Sequence, residues 1–145
     1  MAVFQQEQKE SKQNEAEYDA IADDYVNVFE KWPVSQYVAL PMINLVGDVK
    51  GLRVLDLACG DGAYSRLYKK MGASEVVAVD LSEEMIKIAR QKSSDITYYI
   101  GNATKLEDLN LGQFDVVCAS FLLNYCTSVE MLKSMIKNIK SSFEA

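Results

Sequence analysis

The run Val54-Leu-Asp-Leu-Ala-Cys-Gly-Asp-Gly-Ala-Tyr-Ser-Arg66 constrains this chain more than any other stretch, because it reads as a buried strand, a glycine turn and the start of a helix. Val54 to Leu57 is apolar apart from Asp56, and Gly60 and Gly62 free the backbone at the turn. Tyr64, Leu67, Tyr68 and Met71 then recur at helical spacing until Gly72 ends the helix. Such a turn aims helix N-terminal amides at whatever lies above the strand, so it favours a ligand with a negative group, phosphate or carboxylate. A glycine pair also occurs in purely structural turns, and the rest of the chain has to decide.

Asp56 separates the two ligand types. It sits near the carboxyl end of the strand, where a carboxylate repels a passing pyrophosphate, and the third glycine of a dinucleotide fingerprint is replaced by Ser65. S-adenosylmethionine instead carries an ammonium beside its carboxylate, which suits an acid next to an amide-rich turn. A nicotinamide-binding oxidoreductase shares the sheet and stays as the alternative.

With 145 residues the chain buries one core and forms one domain at most. A net charge of -6 with no histidine argues against a nucleic-acid partner, which needs a basic surface. It also removes the commonest general base and any histidine metal site. Cys59, Cys118 and Cys126 lack paired spacing, so no metal is expected and the thiols read as reduced and packed in the core. The polar start is unlike a signal segment and no apolar run reaches membrane-spanning length, so a cytoplasmic protein with no membrane partner is expected.

Residues 1 to about 14 are polar and read as frayed. Tyr18, Ile21, Ala22, Tyr25, Val28, Phe29 and Trp32 then form one helical stripe closed by Pro33, and a second segment, Tyr37 to Val46, contains Pro41, which predicts a break or kink. These make an N-terminal helical cap over 1–48. From 49 to 145 strand alternates with helix: strands at Arg53 to Ala58, Val76 to Asp80, Ile96 to Ile100 and Phe114 to Ser120, and helices at Ala63 to Met71 and Ser82 to Gln91. A last helix opens at a capping box, Thr127-Ser-Val-Glu130, with Met131, Leu132, Met135, Ile136, Ile139 and Phe143 on its apolar side. The expected fold is α/β, a Rossmann-like doubly wound parallel sheet with its first four strands present. An open sheet normally continues after such a helix, so the C-terminal strands read as missing. The fourth strand is then an exposed edge inviting self-association.

Asp80 ends the second strand twenty residues after Gly60, where doubly wound folds place an acid for ribose hydroxyls. Gly101-Asn-Ala-Thr104 and Ala119-Ser-Phe-Leu-Leu-Asn-Tyr125 follow the third and fourth strands, so four strand ends point polar or small residues into one crevice. At these residues the chain resembles the class I S-adenosylmethionine-dependent methyltransferases. Asp56 to Gly62 is similar to that family's first motif, Val77 to Met85 to its second, Gly101 to Ala103 to its third and Phe114 to Ser120 to its fourth. Tyr18-Asp-Ala-Ile-Ala-Asp-Asp-Tyr25 is similar to a segment that closes over the cofactor in small-molecule members, such as those of ubiquinone, menaquinone and toxoflavin biosynthesis.

The resemblance implies S-adenosyl-L-methionine as cofactor. It gives the amino-acid group to Asp56, Gly60 and Gly62, the ribose to Asp80, and the adenine to Leu81, Met85, Asn102 and Ala103, with Ala58, Cys59, Ser120, Tyr18 and Tyr25 completing the set. Asn102 stands where the family usually has an acid, and is expected to accept from the adenine amino group through its carbonyl. The implied reaction is methyl transfer to an oxygen, nitrogen or carbon atom of a small-molecule acceptor. Tyr18, Tyr25, Asn124 and Tyr125, with Asp24, are the candidates for handling the acceptor or its proton. A non-catalytic module that binds cofactor or a partner is the remaining alternative.

Overall fold

The computed structural model describes residues 19–27 and 34–143, the backbone alone for 34–37. Tyr18, Val28, Phe29, Trp32 and the N-terminal tail lie outside the described residues. In chain order the elements are α1 (19–27), α2 (Val34–Val46), β1 (Arg53–Leu57), α3 (Ala63–Lys70), β2 (Glu75–Asp80), α4 (Glu83–Lys92), β3 (Thr97–Ile100), β4 (Val116–Cys118) and α5 (Val129–Ser141). Short 3-10 turns occupy Leu106–Leu109 and Leu122–Tyr125.

The strands form one parallel sheet in the order β3-β2-β1-β4. Because side chains alternate along a strand, each strand feeds both faces. Val54, Val76, Ala78, Tyr98 and Cys118 pack under α3 and α4 with Tyr68, Ile86 and Ala89, whereas Leu55, Leu57, Val77 and Val79 pack on the other face with Leu106, Leu122 and Met135. This two-sided burial explains why the strands read as nearly continuous apolar runs. The three cysteines are free thiols, Cys59 and Cys118 both buried, as the sequence implies.

Several expectations need correction. Strand β4 is shorter than Phe114 to Ser120, since Phe114 makes only an isolated parallel bridge, to Phe143. With the Phe114 amide donating to Ser142 O at 2.8 Å, the chain after α5 returns along the outer side of β4. Helix α2 runs continuously through Pro41, so the expected break is absent, although the proline removes one ladder amide and crowds the carbonyl four residues back. Ser128, not Thr127, caps α5: its hydroxyl accepts from the Met131 amide at 3.1 Å, so Thr127 and Glu130 form no capping box. Ile136 and Phe143, placed on the apolar stripe of α5, are exposed, and the polar Asn138 is buried instead, donating to Ala103 O at 3.3 Å.

Candidate functional site

The carboxyl ends of all four strands open into a cleft of about 440 Å³. Its floor and walls include Ala58, Cys59, Gly60, Asp80, Leu81, Met85, Asn102, Ala103 and Ser120, and Tyr25 and Tyr125 stand at its rim. Asp56, Gly62 and Asn124, from the same set of expected site residues, do not line it.

The turn after β1 is built by its backbone. Ala58 and Gly60 are left-handed (φ 56 and 54), as is Gly62 at φ 75, the residue preceding α3. A side chain at Gly62 would also meet the Tyr98 hydroxyl at 2.6 Å, so this glycine is required by packing rather than by a ligand. The turn does not present a row of open amides. Gly60 N–H donates to Asp80 Oδ2 at 2.7 Å, Gly62 N–H to Cys59 O at 2.9 Å and Ala63 N–H to Asp61 Oδ1 at 3.3 Å. Two of the chain's own carboxylates thus take the place expected for a ligand's negative group.

Asp56 is buried beneath that turn, 1 % exposed, and its Oδ2 accepts from Ser65 Oγ at 2.5 Å. Its register with Ala78 and Cys118 sets it on the face that α3 covers, so it reaches Ser65 and not the cleft. Burial, opposed by the Ser65 bond, pushes its carboxyl up to about 7. The thiol of Cys59 is also raised, by burial first and then by the charges of Asp56 and Asp80.

Asp80 has a different setting. Its Oδ2 takes the Gly60 amide and its Oδ1 the Ser82 amide at 2.9 Å, which fixes the carboxylate at the cleft wall. Burial raises its pKa, and these amides pull it back. Each carboxylate oxygen retains a lone pair for a further donor. Ser82 caps α4, accepting from Met85 N–H at 3.2 Å, and its own hydroxyl donates to Asp19 Oδ1 at 2.5 Å. Asp19 Oδ1 lies 3.4 Å from the Glu84 amide as well, so α1 is tied to the N-terminus of α4. Sequence reasoning missed this role of Asp19.

Asn102 lines the cleft, but its carbonyl is engaged: Thr104 donates to Oδ1 through N–H at 2.9 Å and through Oγ1 at 2.8 Å. The expected acceptor is therefore closed by an Asx turn, and the amide hydrogens of Asn102 are what it can offer. Two hydroxyls that line the cleft are buried without a hydrogen bond of normal geometry, Tyr64 OH and Ser120 Oγ, the second facing the Tyr68 hydroxyl, and such a state is costly unless something polar meets them. Phe121, which follows Ser120, was also missed; it holds a left-handed backbone (φ 63) that costs a bulky L-residue roughly 1–2 kcal/mol.

With this geometry established, comparison with known proteins places the chain. Residues 54–143 match the family described as Methyltransferase domain, and the chain belongs to that family. It is 32% identical over 133 residues to an uncharacterised protein of Haemophilus influenzae, covering 83% of this chain and 52% of that protein. It is 37% identical over 100 residues to demethylmenaquinone methyltransferase of Renibacterium salmoninarum, covering 68% of this chain and 41% of that enzyme. The chain thus spans about half the length of these curated relatives or less. Its fold is that of magnesium protoporphyrin IX methyltransferase from Synechocystis PCC 6803, solved with bound S-adenosylmethionine, at a TM-score of 0.78 and 20% identity over 93% of this chain and 72% of that one. Family membership removes the oxidoreductase alternative. Among the described residues no helix is long and apolar enough to cross a membrane.

Proposed function

We propose that this chain binds S-adenosylmethionine along the strand ends and directs its methyl group to a small-molecule acceptor. The observation that carries the reading is Asp80, a carboxylate clamped by two amides at the cleft wall with lone pairs left for the two vicinal hydroxyls of a ribose. The Ser120 and Tyr64 hydroxyls, buried without a hydrogen bond of normal geometry, fit a ligand with polar groups at its other end. Leu81 and Met85 supply apolar wall for a base, and Asn102 donates from its amide rather than accepting.

When bound, S-adenosylmethionine supplies a sulfonium-linked methyl that an oxygen, nitrogen or carbon nucleophile can take in line, the sulfur keeping the bond pair. The chain's part is to hold the acceptor aligned and to exclude water, terms worth up to roughly 7–11 kcal/mol in well-aligned systems. Tyr25 and Tyr125 stand at the rim, and they are the residues assigned to meet the acceptor and its proton. Asp24 and Asn124 are exposed and line no part of the cleft, so neither is assigned that task. Asp56 supports the turn from below and contributes to a bound ammonium only through space. A cytoplasmic setting belongs to this reading and is supported by the three free thiols.

Calorimetric titration with S-adenosylmethionine and S-adenosylhomocysteine tests the proposal. Saturable one-to-one binding is expected, and a folded chain that binds neither would remove it.

A further inference from the structure

Phe121, in the turn that the Leu122 amide closes on Ala119 O, combines three features that core burial does not explain. Its backbone is left-handed at φ 63, a conformation that disfavours a large side chain; the residue is 54% exposed; and it lines the cleft directly after Ser120. A residue that is both strained and unburied adds nothing to the core, and such outliers persist where a site requires them. Two further aromatic side chains line the same cleft, one from α1 and one from the far end of the 3-10 turn that Phe121 caps. Tyr25 on α1 is 44% exposed and Tyr125 at the end of the Leu122–Tyr125 turn is 37% exposed. Three aromatic side chains from two segments lining one opening favour a flat π system, which stacks offset or edge to face against them. Of the charged side chains that line the cleft, Asp61, Asp80 and Glu130 are acidic and Lys105 is basic, a balance that disfavours an anionic group.

We infer that Phe121 determines acceptor specificity, its ring forming with Tyr25 and Tyr125 a seat for a neutral, flat aromatic acceptor such as a phenol or hydroquinone. The inference rests on the methyltransferase reading and adds the substrate class to it. The strain of the left-handed backbone is the cost of placing Phe121 at the cleft.

The full chain, loaded with S-adenosylhomocysteine, is titrated with 2-naphthol and with decahydro-2-naphthol. Both probes have one hydroxyl on a fused two-ring skeleton, and only the first has a π face. The expected result is a preference of about tenfold for 2-naphthol, lost in Phe121→Gly and restored in Phe121→Trp. Phe121→Gly should melt at or above the wild-type temperature, since glycine accepts the backbone without strain. Equal affinity for the two probes, an undiminished preference in Phe121→Gly, or a marked fall in its melting temperature would overturn the inference. Cofactor affinity measured on the same samples keeps the two readings apart. Failure of wild type to bind S-adenosylhomocysteine counts against the methyltransferase reading, and the probe titration on the cofactor-free chain then still judges the seat.

Discussion

The amide of Gly60 donates to the carboxylate of Asp80 at 2.7 Å across twenty residues, joining the turn after β1 to the end of β2. One carboxylate therefore both closes the turn and faces the cleft. Replacing it by Asn leaves one oxygen for two amides that each need an acceptor, and sets an NH2 group against one of them. Asp80→Asn is expected to lower affinity for S-adenosylmethionine at least about tenfold, the loss of a charge-assisted bond, and to lower stability by about 1–3 kcal/mol. Calorimetry and urea denaturation measure the two effects, and a variant that binds within twofold of wild type would remove Asp80 from the site.

Asp56 predicts an unusual pH dependence of stability. Its carboxyl is raised to about 7 in the folded protein, while the unfolded chain releases that proton near pH 4. Between those values the folded state binds more protons, so this contribution is complete below about pH 4 and is lost as pH rises through about 7. The size is on the order of a few kcal/mol. Asp56→Asn, which can still accept from Ser65, should flatten the fall, leaving the smaller slope from Asp80, whose pKa is also raised by burial. Urea midpoints from pH 5 to 8.5 provide the check. A wild type whose stability rises over this range would contradict the assignment.

What could be read from the sequence follows from how local each signal is. The Gly60 to Asp80 spacing, the Ser82 cap and the alternation of strand and helix are local patterns, and the structure holds all three. The direction of Asp56 was less accessible: its side-chain period says which residues share its face, and only the covering helix, with Ser65 in its first turn, decides that the carboxylate turns inward. Asn102 lines the cleft as expected, but the engagement of its carbonyl by Thr104 was overlooked although Asn-Ala-Thr is a recognisable Asx turn. Nothing local marks the link from Asp19 to Ser82, 63 residues apart, which tertiary packing imposes, or the left-handed Phe121 in the turn that the Leu122 amide closes on Ala119 O.

Gly62 is a test of packing independent of any ligand. In Gly62→Ala the new methyl meets the Tyr98 hydroxyl at 2.6 Å on a backbone with φ of +75. A loss of about 2–3 kcal/mol is expected from strain and overlap together. Tyr98→Phe removes the hydroxyl, which is buried near Ser93 and Arg66 without a hydrogen bond of normal geometry, so it should cost little alone and recover about 1 kcal/mol in the double variant. Denaturant unfolding of the three variants gives the cycle. Strict additivity would show that the overlap is not what makes Gly62 necessary.

Asp19 decides whether α1 is held over the cleft by α4. Its Oδ1 accepts from Ser82 Oγ at 2.5 Å and faces the Glu84 amide at 3.4 Å, so it adds a second acceptor, and a negative charge, at the N-terminus of a helix. Asp19→Ala removes both and should lower stability by about 1 kcal/mol, with amide exchange across 19–27 faster by about fivefold to tenfold. Asp19→Asn retains an acceptor and should keep most of the protection. Ser82→Ala loses the Met85 cap together with the Asp19 contact, so it should exceed Asp19→Ala alone, and the double variant should fall short of the sum. Tyr25 lies in the same helix as Asp19, so freeing this end should also weaken binding of an aromatic acceptor probe while leaving the Gly60 to Asp80 clamp intact. Hydrogen exchange read by mass spectrometry on the peptide containing 19–27 settles it: protection in Asp19→Ala equal to wild type would mean that α1 is held by apolar contacts such as the buried Ala22 rather than by this carboxylate.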